Sequence, residues 1–130
     1  MTKTIEQTIL FKASPKKLYD TYINSKLHAA STGAPAKISA KPNSAFSAHG
    51  GYITGKTLLA QKDSLIVQSW RGMDFKKTDA DSILILYITP HAKGSQLKMI
   101  HTMVPDHRAN HLASGWKEHY WDKWQRYFAG

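Results

Sequence analysis

The stretch from Pro105 to Phe128, PDHRANHLASGWKEHYWDKWQRYF, constrains this chain more than any other. At about 100° per residue, Ala109, Leu112, Ala113, Trp116, Tyr120, Trp124 and Tyr127 fall on one stripe. Arg108, Asn110, His111, Lys117, Glu118, Asp122 and Arg126 fall on the other. Pro105 suits a first helical turn, where its missing N–H costs nothing, and Asp106 puts negative charge at the positive end of the helix. Some 22 residues at about 1.5 Å each make a rod of about 33 Å. A largely aromatic stripe of that length must lie on something broad and apolar, so the rest of the chain has to supply a sheet.

The preceding residues read as that sheet. Lys3 to Phe11 alternates, with Ile5, Ile9 and Phe11 on one side. Ser14-Pro15 starts a helix whose apolar face is Leu18, Tyr19, Tyr22, Ile23 and Leu27; Asn24-Ser25 can break it in two, and Thr32-Gly33-Ala34-Pro35 ends it. Strands are expected at Ala36 to Ala40, Ala45 to Ala48, Tyr52 to Gln61, Leu65 to Trp70, Ser82 to Thr89 and Ser95 to Val104. Gly50-Gly51 reads as a hairpin turn and Gly55 as a bulge. SILILYIT, apolar on both faces, is expected in the middle of the sheet. The fold class is therefore α+β. A curved antiparallel sheet of six or seven strands wraps a long C-terminal helix, with two short helices after the first strand, all in one domain spanning residues 1–130.

Composition narrows the function. No run of about 18 apolar residues offers a membrane span, the N-terminus lacks a signal-peptide core, and there are no cysteines, so a cytoplasmic protein is expected. The net charge of +9 invites a nucleic-acid partner. The basic residues are scattered, however, and 15 of the 18 are lysines, which meet phosphate as point charges. No zinc-finger, RNP-type or basic-region motif is present, so specific nucleic-acid binding is not expected.

A helix laid across a curved sheet can leave a hollow lined by its aromatic residues. The candidate lining is Leu112, Trp116 and Tyr120 from the helix with Phe46, Tyr52, Ile66, Trp70, Met99 and His101 from the strands; Phe75 and Met73 stand at the mouth. A ligand pocket and a plainly filled core both fit this pattern. His107 and His111 have an i, i+4 metal-ligand spacing, but HExxH is absent and both project to the polar side, so no metal site or cofactor is expected. His101 shares the phase of Leu97 and Met99, and is either a core histidine, a ligand contact or a general base. Glu118 lies on the wrong helical face to assist it, and no nucleophile, phosphate or dinucleotide motif appears. A non-enzymatic domain is expected. Gly115, costly inside a helix, suggests a close approach by a strand or bulky side chain.

Four runs taken together resemble one family: Phe46 to Gly55 (FSAHGGYITG), Leu65 to Arg71 (LIVQSWR), His101 to Pro105 (HTMVP) and Gly115 to Trp121 (GWKEHYW). Leu18 to Ile38, with its Ala34-Pro35-Ala36 turn, fits the same pattern. The chain is similar over nearly its whole length to the activator of Hsp90 ATPase family, specifically its C-terminal-domain type, within the START-like helix-grip superfamily. That resemblance implies a helix-grip fold and a cavity open to small apolar molecules. In the full co-chaperone a separate N-terminal domain makes the main chaperone contact, and no such domain is expected within these 130 residues. Three functions follow in order of expectation: binding a small hydrophobic or aromatic ligand, regulating an Hsp90-type chaperone through a basic surface, and cyclase- or hydrolase-like chemistry based on His101.

Overall fold

The computed structural model describes residues 1–129. Strand β1 (Thr2–Phe11) leads into helices α1 (Pro15–Ile23) and α2 (Ser25–Thr32). Five strands follow: β2 (Ser44–Ala48), β3 (Ile53–Gln61), β4 (Leu65–Gly72), β5 (Ser82–His91) and β6 (Gly94–Pro105). They form one antiparallel sheet in the order β1-β6-β5-β4-β3-β2. The C-terminal rod comprises α3 (Ala109–Trp116), a π-helical turn (Lys117–Trp121) and α4 (Asp122–Ala129). All helices pack on one face of the sheet, giving the helix-grip architecture.

Local chemistry sets the breaks. The Ser14 side chain accepts from Lys17 N–H at the head of α1. Asn24 leaves helical geometry between α1 and α2, and its side chain accepts from Leu27 N–H. Gly33, at φ 78°, closes α2 in the left-handed conformation that glycine adopts freely. The expected strand at Ala36 to Ala40 reduces to one bridge, Lys37 with Ser47. The Ser25 hydroxyl explains this, because it takes both the N–H (2.9 Å) and the C=O (3.1 Å) of Ile38 and ties the segment to α2.

SILILYIT is central, flanked by β4 and β6, but it is not buried on both faces. Leu84, Leu86 and Ile88 face the core, while Tyr87 on the outer face is 49% exposed.

The rod departs from a straight helix. Lys117 N–H bonds the Ser114 carbonyl and Asp122 N–H reaches back five residues to the Lys117 carbonyl. The Ala113 carbonyl, whose usual donor has turned to Ser114, accepts instead from Gln7 Nε2 at 3.0 Å. In a straight helix five residues turn through about 500°, well out of alignment. Here Trp116 and Trp121 stack at 5.5 Å and 14°, and both are buried. The wider turn also moves the register by about one position. Trp124 stays buried and Phe128 packs on Phe11, whereas the expected stripe member Tyr127 is turned outward.

The irregularity in β3 lies between Thr57 and Leu59 rather than at Gly55. Gly55 occupies a regular strand position under the Phe46 ring. A Cβ built there would stand 2.7 Å from Phe46 Cε1 and even closer to the Ser69 carbonyl oxygen. Gly55→Ala is therefore expected to cost about 3 kcal/mol, read as a lower denaturant midpoint at unchanged m-value.

Candidate functional site

Between the rod and the β2–β4 side of the sheet lies a hollow of about 350 Å³. Its walls are Tyr52, Ile53 and Trp70 from the sheet side and Leu112, Trp116 and Tyr120 from the rod. His49, Asp74, His111, Gly115 and His119 complete it. Aromatic contacts bind the wall together. Trp116 lies 4.8 Å from Tyr120 and 6.0 Å from Trp70, ring to ring, and His49 stands edge-on to Tyr120 at 5.2 Å.

Five of the ten residues singled out from sequence border the hollow: Tyr52, Trp70, Leu112, Trp116 and Tyr120. The other five lie in the core away from its surface. Phe46, Ile66, Met99 and His101 are buried beneath the sheet face, and Phe75 packs on Trp70 at 5.9 Å under the Arg71 guanidinium. Met73 is exposed. The lining expected from sequence lacks His49, Ile53, Asp74, His111, Gly115 and His119. Three of these, His111, Gly115 and His119, recur every four residues along the rod, on the flank beside the aromatic stripe. Gly115 meets no strand: a Cβ there would have one neighbour within 4 Å, His119 Cδ2 at 3.8 Å, so this glycine leaves space.

His101 is fully committed. Its Nδ1 accepts from Trp116 Nε1 at 3.0 Å, which places its proton on Nε2. That N–H donates to Ser82 Oγ at 2.7 Å, and Ser82 donates on to the Trp70 carbonyl at 2.8 Å. Burial holds the ring neutral, with its pKa pushed down to about 3. Neither nitrogen is free to take a proton from a substrate. His28 is a second buried histidine; its Nδ1–H donates to the Tyr22 carbonyl (2.7 Å) and its Nε2 accepts from the Tyr120 hydroxyl (2.8 Å). Desolvation lowers its pKa and raises that of Tyr120.

The mouth carries one polar cluster. Asp74 accepts from the Tyr52 hydroxyl and pairs with Arg108 at 3.1 Å. His49 is held neutral, its pKa lowered to about 4 by desolvation and then by the charges of His28, His119 and Lys123. His107 reaches Asp79 at 2.8 Å instead of joining His111, and no group of three potential ligands is placed to hold a metal among the described residues. No helix among them is long and apolar enough to cross a membrane.

The buried histidines fix a pH dependence. Above about pH 6.5 both folded and unfolded chains carry His101 neutral. As pH falls, the unfolded chain takes up a proton that the folded chain refuses, so stability declines from 6.5 toward the folded value of about 3. His49 and His28 act in the same direction. Unfolding free energy is expected to fall as pH drops from 6.5 to 4, with a slope that grows toward the one-proton limit and averages about 1 kcal/mol per pH unit from His101 alone.

Comparison with known proteins places this architecture. Residues 12–129 match the family model for Activator of Hsp90 ATPase homolog 1-like protein. An activator of 90 kDa heat shock protein ATPase homolog from Dictyostelium discoideum is 25% identical over 128 residues, 98% of this chain; the chain spans 33% of that relative's length. The crystal structure of PFC0360w, an HSP90 activator from Plasmodium falciparum, superposes with a TM-score of 0.78 at 20% identity, covering 94% of this chain and 91% of that one. Ara h 8.0201 superposes with the same TM-score at 14% identity over 99% of both chains, a likeness of fold alone. The chain belongs to the Activator of Hsp90 ATPase homolog 1-like family.

Proposed function

We propose that this domain binds a small hydrophobic or aromatic molecule in the hollow between rod and sheet, without transforming it. The observation that carries the reading is a space of about 350 Å³ with aromatic and aliphatic walls and a short polar rim. That volume falls at the small end of ligand pockets. The non-catalytic reading is supported by His101, whose nitrogens are both committed to Trp116 and Ser82, and by Asp74, which is neutralised by Arg108.

The reading is tested by filling the space. Gly115→Leu adds bulk at the wall where a side chain meets little resistance, and it replaces a poor helix former with a good one. The variant is expected to melt no lower than the parent and to bind naphthalene at least about tenfold more weakly, by NMR titration. The shifts in the parent protein should concentrate on Trp70, Leu112, Trp116 and Tyr120. A parent protein that gives no shifts with naphthalene or any other small ring compound would sink the proposal.

A second reading is regulation of an Hsp90-type chaperone. It is favoured by the activator names of the Dictyostelium and Plasmodium relatives and by the net charge of +9, which suits an acidic partner. Here the expected outcome is a change in the ATPase rate of the host's Hsp90-type chaperone, weakening as salt rises from 50 to 300 mM, roughly the range in which exposed charges become screened. An unchanged rate at low salt argues against it.

A further inference from the structure

We infer that the outer face of the sheet, turned away from the helices, is a docking surface for an acidic protein segment that carries apolar side chains. This goes beyond the hollow and gives an acidic partner a defined place on the molecule. An antiparallel strand with one wet face ordinarily alternates apolar and polar residues. β5 does not: Leu84, Leu86 and Ile88 are buried in the core, and the opposite face carries Ile83, Ile85 and Tyr87. Residues directly opposite each other on neighbouring strands share a face. The register therefore continues this surface in a row of Leu59, Val67, Ile85 and Ile100 across β3, β4, β5 and β6. Leu65 and Tyr87 are paired in the next row. Leu59 and Tyr87 are 48% and 49% exposed.

Charge on and around these rows is one-sided. Lys98, opposite Tyr87, stands on the same face, and Lys56, opposite Ser69, stands in the row of Ile83. The β3–β4 and β5–β6 turns, at the Tyr87 end of the patch, carry Lys62 and Lys93. All four lysines are exposed, and none has a carboxylate within ion-pair distance among the described residues. Against them stands Glu6, opposite Ile100, which is the only Asp or Glu within any of the six strands. Single apolar residues on a surface need no cause, but a contiguous row rimmed by charge of one sign marks an interaction site. Its complement is a segment with apolar side chains between carboxylates.

Size and composition select among occupants. Neighbouring strands lie about 4.8 Å apart and alternate residues on a strand about 7 Å apart, so the two rows cover roughly 200 to 300 Å². A stable pair of copies needs about 800 Å² on each partner. Each copy also carries a net charge of +9, and stacking two such faces would bring lysines together. A bilayer surface is ordinarily met by tryptophans at the interface, and all four tryptophans here are buried in the core. A short segment that lays two or three apolar side chains on the rows, with its carboxylates toward the lysines, meets both constraints.

Three capped peptides test the inference by NMR titration: Asp-Leu-Glu-Phe-Asp-Leu-Glu, the same peptide with lysine at each acidic position, and the same peptide with serine at each apolar position. The first is expected to bind, moving the amides of Val67, Ile85, Tyr87 and Ile100 while those of Leu112 and Trp116 in the hollow stay in place. The lysine and serine peptides are each expected to bind at least about fivefold more weakly. Tyr87→Thr and Lys98→Glu change exposed positions, and each should weaken the acidic peptide by a similar factor. Silence from the acidic peptide, equal binding of all three peptides, or shifts confined to the hollow overturns the inference. So does binding to vesicles of phosphatidylserine and phosphatidylcholine without binding to the peptide, or a dimer in sedimentation that Tyr87→Thr disperses. If a variant unfolds, the three-peptide comparison on the parent protein still decides. Peptide binding with no effect on the chaperone's ATPase rate keeps this inference and removes the chaperone reading, and the reverse result does the opposite.

Discussion

The structure depends on giving every buried polar tip of its aromatic rod a partner. Burying a Trp or Tyr side chain removes a large apolar area from water, but the N–H or O–H goes with it and must be paired. Here the partners come from three separate elements. His101 on β6 receives Trp116, Gln7 on β1 receives Trp121, Ser31 on α2 receives Trp124, and His28 on α2 receives the Tyr120 hydroxyl. Each bond fixes the rod at a different height and direction. Together they dock it in one register, where apolar contact alone would tolerate sliding. Tyr22 extends the pattern through Gln68 to Thr57, linking α1 to the sheet.

The π turn follows from the same demand. A straight helix cannot turn Trp116, Tyr120 and Trp121 inward together, and the insertion between Lys117 and Asp122 allows it. Its cost is an interrupted hydrogen-bond ladder, offset by Gln7, which accepts from Trp121 and donates to the Ala113 carbonyl. One β1 side chain thus secures both the displaced indole and the displaced carbonyl. The hollow begins one turn earlier, where Gly115 presents no side chain to the space beside Leu112 and Trp116. The room runs along the flank of the rod from His111 to Tyr120, and beyond it Trp121 and Trp124 are closely packed.

The broad fold was legible because its signals are periodic. The aromatic stripe, the Ser14-Pro15 start, the Asn24-Ser25 break, the Gly33 stop and the regular strand spacing each reflect local chemistry that tertiary contacts reinforce. Three features were not legible. Periodicity assumes a constant turn, so the π insertion hid Trp121 and exchanged Phe128 for Tyr127 on the buried face. Ala36 to Ala40 alternates like a strand, but the Ser25 hydroxyl claims Ile38 before an edge strand can. Among site residues, phase could show that His101 points inward, but not that Trp116 and Ser82 saturate it. His49 left no periodic signal at all: it reaches the hollow from a turn, at a φ of 52°.

Charge is distributed between surface and hollow in a way that separates the two functional readings. Lys16, Arg71, Arg108 and Lys117 pair with carboxylates, leaving most of the 18 basic side chains without such a partner among the described residues. The resulting positive field is exposed to solvent and salt-sensitive, suited to attracting an acidic macromolecule from a distance. Inside the hollow the balance is reversed: Asp74 and Arg108 cancel, His49 is neutral, and the walls are rings and aliphatic groups. A ligand held there would be selected by shape and hydrogen bonding, largely independent of salt. Because the two surfaces use different residues, changes to the hollow and to the lysines act on separate properties of one domain. Occupancy of the hollow would still bear on the rod, since Trp116 and Tyr120 form its wall and also anchor the helix to His101 and His28.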